Sequence, residues 1–268
     1  MGKTFDLERL GGIQSVDRLV EEIHHAGRAA ISLYEGGAAN RMERKPDRSP
    51  VTEADRAVED HLRAFVQREF PDAAFVGEET GEHPGDGGLR FLVDPIDGTR
   101  AFIRGIPTWA ILVTLEENGE PVLGIGHFPA DPCTLVGIVG HGTTIDGKPA
   151  TLSSVDRLEN AAISHGGLHQ FSDSNLEGLL PLLARGTYTQ RGFADFDGYR
   201  RLLLGQIDAV IDPGIRAWDV GPAAAMIREA GGRVTSLSGE DTIYGGAVIA
   251  SNGLVHDELL ELVRRVAP

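Results

Sequence analysis

The chain has a single cysteine, Cys133, among 268 residues, so an internal disulfide is impossible and a thiolate-rich zinc site is excluded. A lone cysteine with apolar neighbours reads as core filler, not as a nucleophile. Positive charge is also short: 25 Lys+Arg face 40 Asp+Glu, for a net charge of −15. That balance argues against a nucleic-acid backbone or an anionic membrane as the main partner, because both require cationic patches. No run approaches the roughly 18 apolar residues of a membrane span. The first dozen residues carry charge and glycine where a signal peptide would carry a hydrophobic core, so cytoplasmic residence is the expectation. Also absent are a Gly-x-Ser-x-Gly elbow, a Walker A lysine loop and a Gly-x-Gly-x-x-Gly turn after a strand; Gly124-Ile125-Gly126 lacks the third glycine and the helix.

What remains is an ordinary globular composition, 41% hydrophobic and 24% charged, at a length where one core begins to divide. Val16, Leu19, Val20, Ile23, Ala26, Ala30 and Leu33 recur at helical spacing until Gly36-Gly37 stops them. A second amphipathic helix is expected over Thr52 to Glu69, with Thr52 and Asp55 at capping-box spacing. The period then changes. Ala73 to Val76 and Phe91 to Val93 read as short strands ending in acidic residues. Thr108 to Leu115 and Pro121 to Phe128 flank Asn118-Gly119, a strong hairpin signal, and Asp146-Gly147 predicts another turn. Beyond residue 150 helices are expected at Leu176–Ala184, Tyr199–Leu204, Val220–Ala230 and Val255–Val266, alternating with strands at 209–211 and 248–250. The pattern predicts a layered α/β (α+β) fold in two subdomains: residues 1–150, with a mainly antiparallel sheet, and 151–268, mixed α/β.

The informative stretch is Leu92-Val93-Asp94-Pro95-Ile96-Asp97-Gly98-Thr99. An apolar strand delivers Asp94, Pro95 fixes φ, and Asp97-Gly98-Thr99 suits a tight turn opening a helix, whose exposed N–H groups would suit an anion. Taken alone, Asp-x-x-Asp-Gly is usually a solvated turn. Here Gly77-Glu78-Glu79 follows another apolar run, and Trp218-Asp219 opens a helix just past Asp212-Pro213-Gly214. Acidic groups at several element ends are what a hard cation such as Mg²⁺ requires. Bound cations would also let an anionic protein hold an anionic ester.

These segments, with Pro50-Val51-Thr52-Glu53-Ala54-Asp55 upstream and Glu229-Ala230-Gly231-Gly232 downstream, closely resemble the inositol monophosphatase family in order and spacing, over roughly Ser15 to Val266. The resemblance implies a phosphate monoesterase without a covalent intermediate, using Mg²⁺, two or three ions per site. It implies that Glu78, Asp94 and the Ile96 carbonyl bind one metal, that Asp94, Asp97 and Asp219 bind a second, and that Glu78 helps a weaker third. The amides of Gly98 and Thr99 would hold phosphate. Asp55 would accept from the Thr99 hydroxyl, which orients the attacking water; that role competes with capping, so one side chain is expected to serve the two only in turn. A homodimer acting on a small phosphate ester is likewise implied.

The second half bears on the substrate. Ala194-Asp195-Phe196 followed by Gly198-Tyr199, and Arg100 to Pro107, are similar to the histidinol-phosphate phosphatase branch of that family. Asp195 and Asp212 would meet the ammonium and imidazole of histidinol phosphate; the bland alternative is that Asp195 caps a helix beginning near Phe196. Inositol 1-phosphate, another sugar phosphate, and a catalytically silent metal-binding regulator are the competing readings. Lys45 and Arg48, in the loop before Asp55, could close over the phosphate. His24-His25 reads as solvated, and Trp109 and Trp218 as buried.

Overall fold

A computed structural model describes residues 4–46, 49–193 and 195–266; Arg48 and Ala194, both named above, lie outside them. The chain opens with α1 (Ile13–Glu35), a small ladder β1 (Glu43–Arg44) and β2 (Pro50–Val51), and α2 (Glu53–Glu69). The strands β3 (Ala74–Gly77), β4 (Gly81–His83) and β5 (Leu89–Asp97) then lead to one helical turn, α3 (Thr99–Phe102). A meander follows: β6 (Ala110–Glu117), β7 (Glu120–Phe128), β8 (Cys133–Ile138), β9 (Gly142–Ile145) and β10 (Lys148–Pro149). The remainder is β11 (Ala162–His165), α4 (Leu168–Asp173), α5 (Leu179–Gly186), β12 (Thr189–Arg191), α6 (Asp197–Leu203) and β13 (Ala209–Pro213). It ends with α7 (Ala217–Glu229), β14 (Arg233–Ser236), β15 (Ala247–Ser251) and α8 (His256–Arg264).

Eight strands form one sheet in the order β10-β9-β8-β7-β6-β5-β3-β4, antiparallel apart from the β3–β5 pair. Five form a second, β12-β11-β13-β15-β14, in which β11 runs parallel to both neighbours. The side-chain period of two explains the layering. Phe91, Val93, Ile111, Val113, Leu123 and Ile125 face α1 and α2, whereas Leu92, Ala110, Leu112 and Leu135 face α7. The other face of α7 covers Val234, Val248 and Ala250 of the second sheet, whose far side packs on α5 and α8 through Ile163, Ile211 and Ile249. The layers therefore alternate helix, sheet, helix, sheet, helix. Strands buried on both faces are continuous apolar runs, which is why they were visible in the sequence.

Close approach of α7 to the large sheet depends on missing side chains. A Cβ at Gly124 would lie 2.3 Å from the Pro222 carbonyl oxygen, and one at Gly137 would lie 2.7 Å from Met226 Cα. Asn118 and Gly119, and Asp146 and Gly147, all have positive φ, the conformation that two-residue hairpins demand.

Four expectations are corrected. The strand at Phe91 does not end at its first aspartate but runs on to Asp97. The helix expected from Leu176 starts at Leu179, because residues 177–178 form a turn and Gly178 takes the N-cap position. Trp218 is half-buried, because it borders the cavity described below. His24 is also half-buried, its Nε2 2.8 Å from Thr134 Oγ1 and its ring 4.5 Å from that of His127.

Candidate active site

An extra residue in β5 brings its two aspartates together. Asp94 pairs with Leu112 and Asp97 with Ala110, so three steps along β5 match two along β6. In a regular strand residues three apart point to opposite faces; the bulge restores the parity. Asp94 and Asp97 consequently share a face, and Pro95 sits where the ladder is interrupted and no N–H is needed. Asp94 Oδ1 accepts from its own loop, the Ile96 N–H, at 3.0 Å. Asp219 arrives from α7, where its Oδ2 accepts the Arg216 N–H at the helix start at 2.7 Å. One carboxylate oxygen each from Asp94, Asp97 and Asp219 lies within 4.8 Å of the others.

Among the described residues no lysine or arginine forms an ion pair with these three. Burial pushes Asp94 and Asp97 well above the usual carboxylate range, and neighbouring negative charges push the same way. Asp219 is raised to about 7, chiefly by burial. Three converging, desolvated carboxylates without a positive partner form an oxygen donor set suited to a hard divalent cation. Glu78 borders the same cavity of about 420 Å³, but it is ion-paired: Lys45 Nζ lies 2.6 Å from both Glu78 Oε1 and Glu79 Oε1. Lys45 thus reaches carboxylates, where the sequence suggested phosphate.

The Thr99 hydroxyl lies 3.2 Å from Asp55 Oδ1 and 3.1 Å from the Ile96 carbonyl. The expectation that Asp55 could cap and orient only in turn is overturned. Its Oδ2 accepts from the Thr52 N–H at 2.7 Å and the Thr52 hydroxyl at 2.6 Å, which leaves Oδ1 for Thr99. A carboxylate has enough lone pairs for both tasks. Gly98 and Thr99 line this cavity too; Gly98 has φ +81 and a Cβ there would lie 2.7 Å from Asp195 Oδ2.

Asp195 therefore faces the Asp97-Gly98 turn, and no side-chain capping bond is found at the start of α6. The two halves are also tied directly, since the Phe196 N–H donates to Asp97 Oδ2 at 2.7 Å. An adjoining cavity of about 340 Å³ is lined by Asp97, Asp195, Tyr199, Asp212 and Asp219 together with Arg100 and Arg104. In it the Tyr199 hydroxyl donates to Asp212 Oδ2 at 3.1 Å, and burial raises Asp212 to about 7. Of the acidic residues expected to have a site role, Glu78, Asp94, Asp97, Asp195, Asp212 and Asp219 border one or other cavity, and Asp55 stands behind Thr99.

Two contributors were missed. Glu59 is fully buried on α2 and accepts the Glu79 N–H at 2.8 Å and the Thr80 N–H at 2.7 Å, pinning the turn that carries Glu78. Its signal was present: Asp55 and Glu59 are one helical turn apart on the apolar face of α2. Gln170 left no such signal, because only tertiary folding brings α4 to the cavities.

The inositol monophosphatase family model matches residues 14–267. The chain is 38% identical over 225 residues to a histidinol-phosphatase of Mycobacterium tuberculosis, covering 82% of this chain and 86% of that relative. It is 31% identical over 251 residues to a fructose-1,6-bisphosphatase/inositol-1-monophosphatase of Thermotoga maritima, covering 93% and 94%. Among solved structures, the extragenic suppressor protein suhB of Bartonella henselae superposes with a TM-score of 0.87 at 27% identity, over 94% of this chain and 99% of that one. With that match across nearly its whole length, the chain belongs to the inositol monophosphatase family and is a phosphoric monoester hydrolase.

Proposed function

We propose that the chain is a Mg²⁺-dependent phosphatase whose substrate is L-histidinol phosphate. The observation that carries the metal reading is the convergence of Asp94, Asp97 and Asp219 within 4.8 Å without a cationic partner. Those three, with Glu78 and the Ile96 carbonyl beside them, would hold the ions. Held there, Mg²⁺ would supply activation of the attacking water and offset charge on the phosphoryl group.

The remaining work falls to the chain's own groups. Asp55 takes the single hydroxyl hydrogen of Thr99, so the Thr99 oxygen keeps its lone pairs for a hydrogen of the attacking water. The N–H groups of Gly98 and Thr99, at the start of a helical turn, have no partner within it and suit the phosphate oxygens. Water arrives in line and the alcohol leaves toward the second cavity.

Two features support histidinol as that alcohol. The cavity offers Asp195 and Asp212, and Asp212 sits at about 7, so a neighbouring ammonium would keep it ionised where neutral hydroxyls would not. The relatives at 38% and 36% identity both bear the name histidinol-phosphatase. A silent regulator would not be expected to keep every acidic position. The test is phosphate release by the purified enzyme from histidinol phosphate, inositol 1-phosphate and fructose 1,6-bisphosphate, each with Mg²⁺ and with EDTA. Histidinol phosphate is expected to lead, with EDTA abolishing turnover. Equal turnover of all three would overturn the substrate, and full activity in EDTA the metal.

A further inference from the structure

Gln170 is the neutral hydrogen-bonding side chain that lines both the carboxylate cavity and the leaving-group cavity. Its orientation is determined by a partner that can only donate: the Gly167 N–H lies 2.5 Å from Oε1. That bond commits the amide oxygen, and among the described residues no group accepts from the two N–H groups of Nε2. On the other side lies Gly214, which has no side chain to crowd the amide. A Cβ at Gly214 would lie 3.5 Å from Gln170 Cγ and 3.7 Å from Nε2, so the side chain spans from the loop after β11 to the loop after β13. These parallel strands point their carboxyl ends at this crevice, the usual ligand position in such sheets. Asp212 is its neighbour beside Gly166: a Cβ there would lie 2.4 Å from Asp212 Oδ1 and 2.9 Å from Gln170 Oε1.

We propose that Gln170 is a specificity-determining residue that presents its Nε2–H groups, at the junction of the two cavities, to a hydrogen-bond acceptor on the leaving alcohol. The reading deepens the proposed function and rests on it for the choice of alcohol. Asp195 and Asp212 accept hydrogen bonds and so read a leaving group's donors. An unprotonated imidazole carries a ring nitrogen that only accepts, and Gln170 supplies the matching donor. Arg100 and Arg104 line the same cavity as cationic donors; Gln170 is a neutral one, and without a donor that nitrogen would be desolvated and unpaired, which costs affinity.

Gln170→Glu keeps an oxygen for the Gly167 N–H and removes both donors, with almost no change of shape. Steady-state kinetics of this variant and wild type would be compared on histidinol phosphate, inositol 1-phosphate and phenyl phosphate, whose leaving group carries no acceptor beyond the ester oxygen. At pH 8, where imidazole is neutral, KM for histidinol phosphate is expected to rise about 3- to 10-fold with kcat nearly unchanged, the loss of one neutral hydrogen bond. Phenyl phosphate kinetics should stay within twofold. Gln170→Met, which also loses the bond to Gly167, should show the same selective loss with a lower Tm. Because Gln170→Glu also adds a negative charge beside the phosphate, Gln170→Met is the control for charge: equal losses on all three esters in both variants would make the residue structural, and no loss on any would place the leaving group elsewhere; either result overturns the proposal. Should wild type prefer inositol 1-phosphate while Gln170→Glu selectively loses that ester, the donor role stands and the histidinol reading falls.

Discussion

Replacing Glu59 by Gln tests whether the turn bearing Glu78 is held from behind by α2. The wild-type carboxylate is fully buried and accepts two backbone N–H groups, one on each oxygen, at 2.8 and 2.7 Å. Glutamine matches the shape but carries one acceptor, so one of the two N–H groups would face an NH₂. Losing a charge-assisted bond and stranding a donor costs about 1.5–3 kcal/mol. In a chain of this size that corresponds to roughly 3–12 °C in Tm. Because the damage is local to the β3–β4 turn, the apparent Mg²⁺ affinity should weaken as well. Calorimetric unfolding in EDTA measures the first effect and isothermal titration with Mg²⁺ the second. A Cβ at Gly77 would sit 2.3 Å from Glu59 Cδ, so Gly77→Ala should displace the same carboxylate and reproduce both losses. If Glu59→Gln melted and bound Mg²⁺ as wild type does, the turn would not depend on this carboxylate and the reasoning would fail.

Three further outcomes are expected. Asp94→Asn should lower kcat by about a thousandfold, the scale of a lost metal ligand, while raising Tm in EDTA, since it removes a buried charge repelled by Glu78, Asp97 and Asp219; a wild-type rate would refute it. His256 is fully buried between Thr235 and Ser251, and burial depresses its pKa to about 4. Above the unfolded value near 6.5 it contributes nothing; between 6.5 and 4 only the unfolded chain takes the proton, so stability falls with acidity by up to about 1.4 kcal/mol per pH unit. His256→Gln should flatten that part of the Tm-versus-pH curve, and an unchanged slope would assign the loss to other groups. Gly124→Ala should cost at least about 2 kcal/mol in urea unfolding, because its methyl would meet the Pro222 carbonyl at 2.3 Å; a neutral result would mean that α7 can lift from the sheet.

Local signals carried much of the protein. Helical spacing in α1 and α2, the Asn118-Gly119 and Asp146-Gly147 turns, and the doubly apolar strands all follow from bonding and burial within a few residues. The capping box at Thr52 and Asp55 is equally local. The acidic segments were legible because their spacing matches a family pattern, which says which residues to expect at a site without saying how they meet. That meeting belongs to the tertiary structure. The bulge that turns Asp97 to the face of Asp94 exists only against β6, because parity is a property of a strand pair. The second oxygen of Asp55 finds Thr99 only after α2 packs on the sheet. Lys45 chooses Glu78 and Glu79, Glu59 chooses the turn beyond them, and Gln170 reaches the crevice, all through contacts between distant segments. A side chain's type and local period can be read from the chain, but the partner it desolvates against is decided by packing.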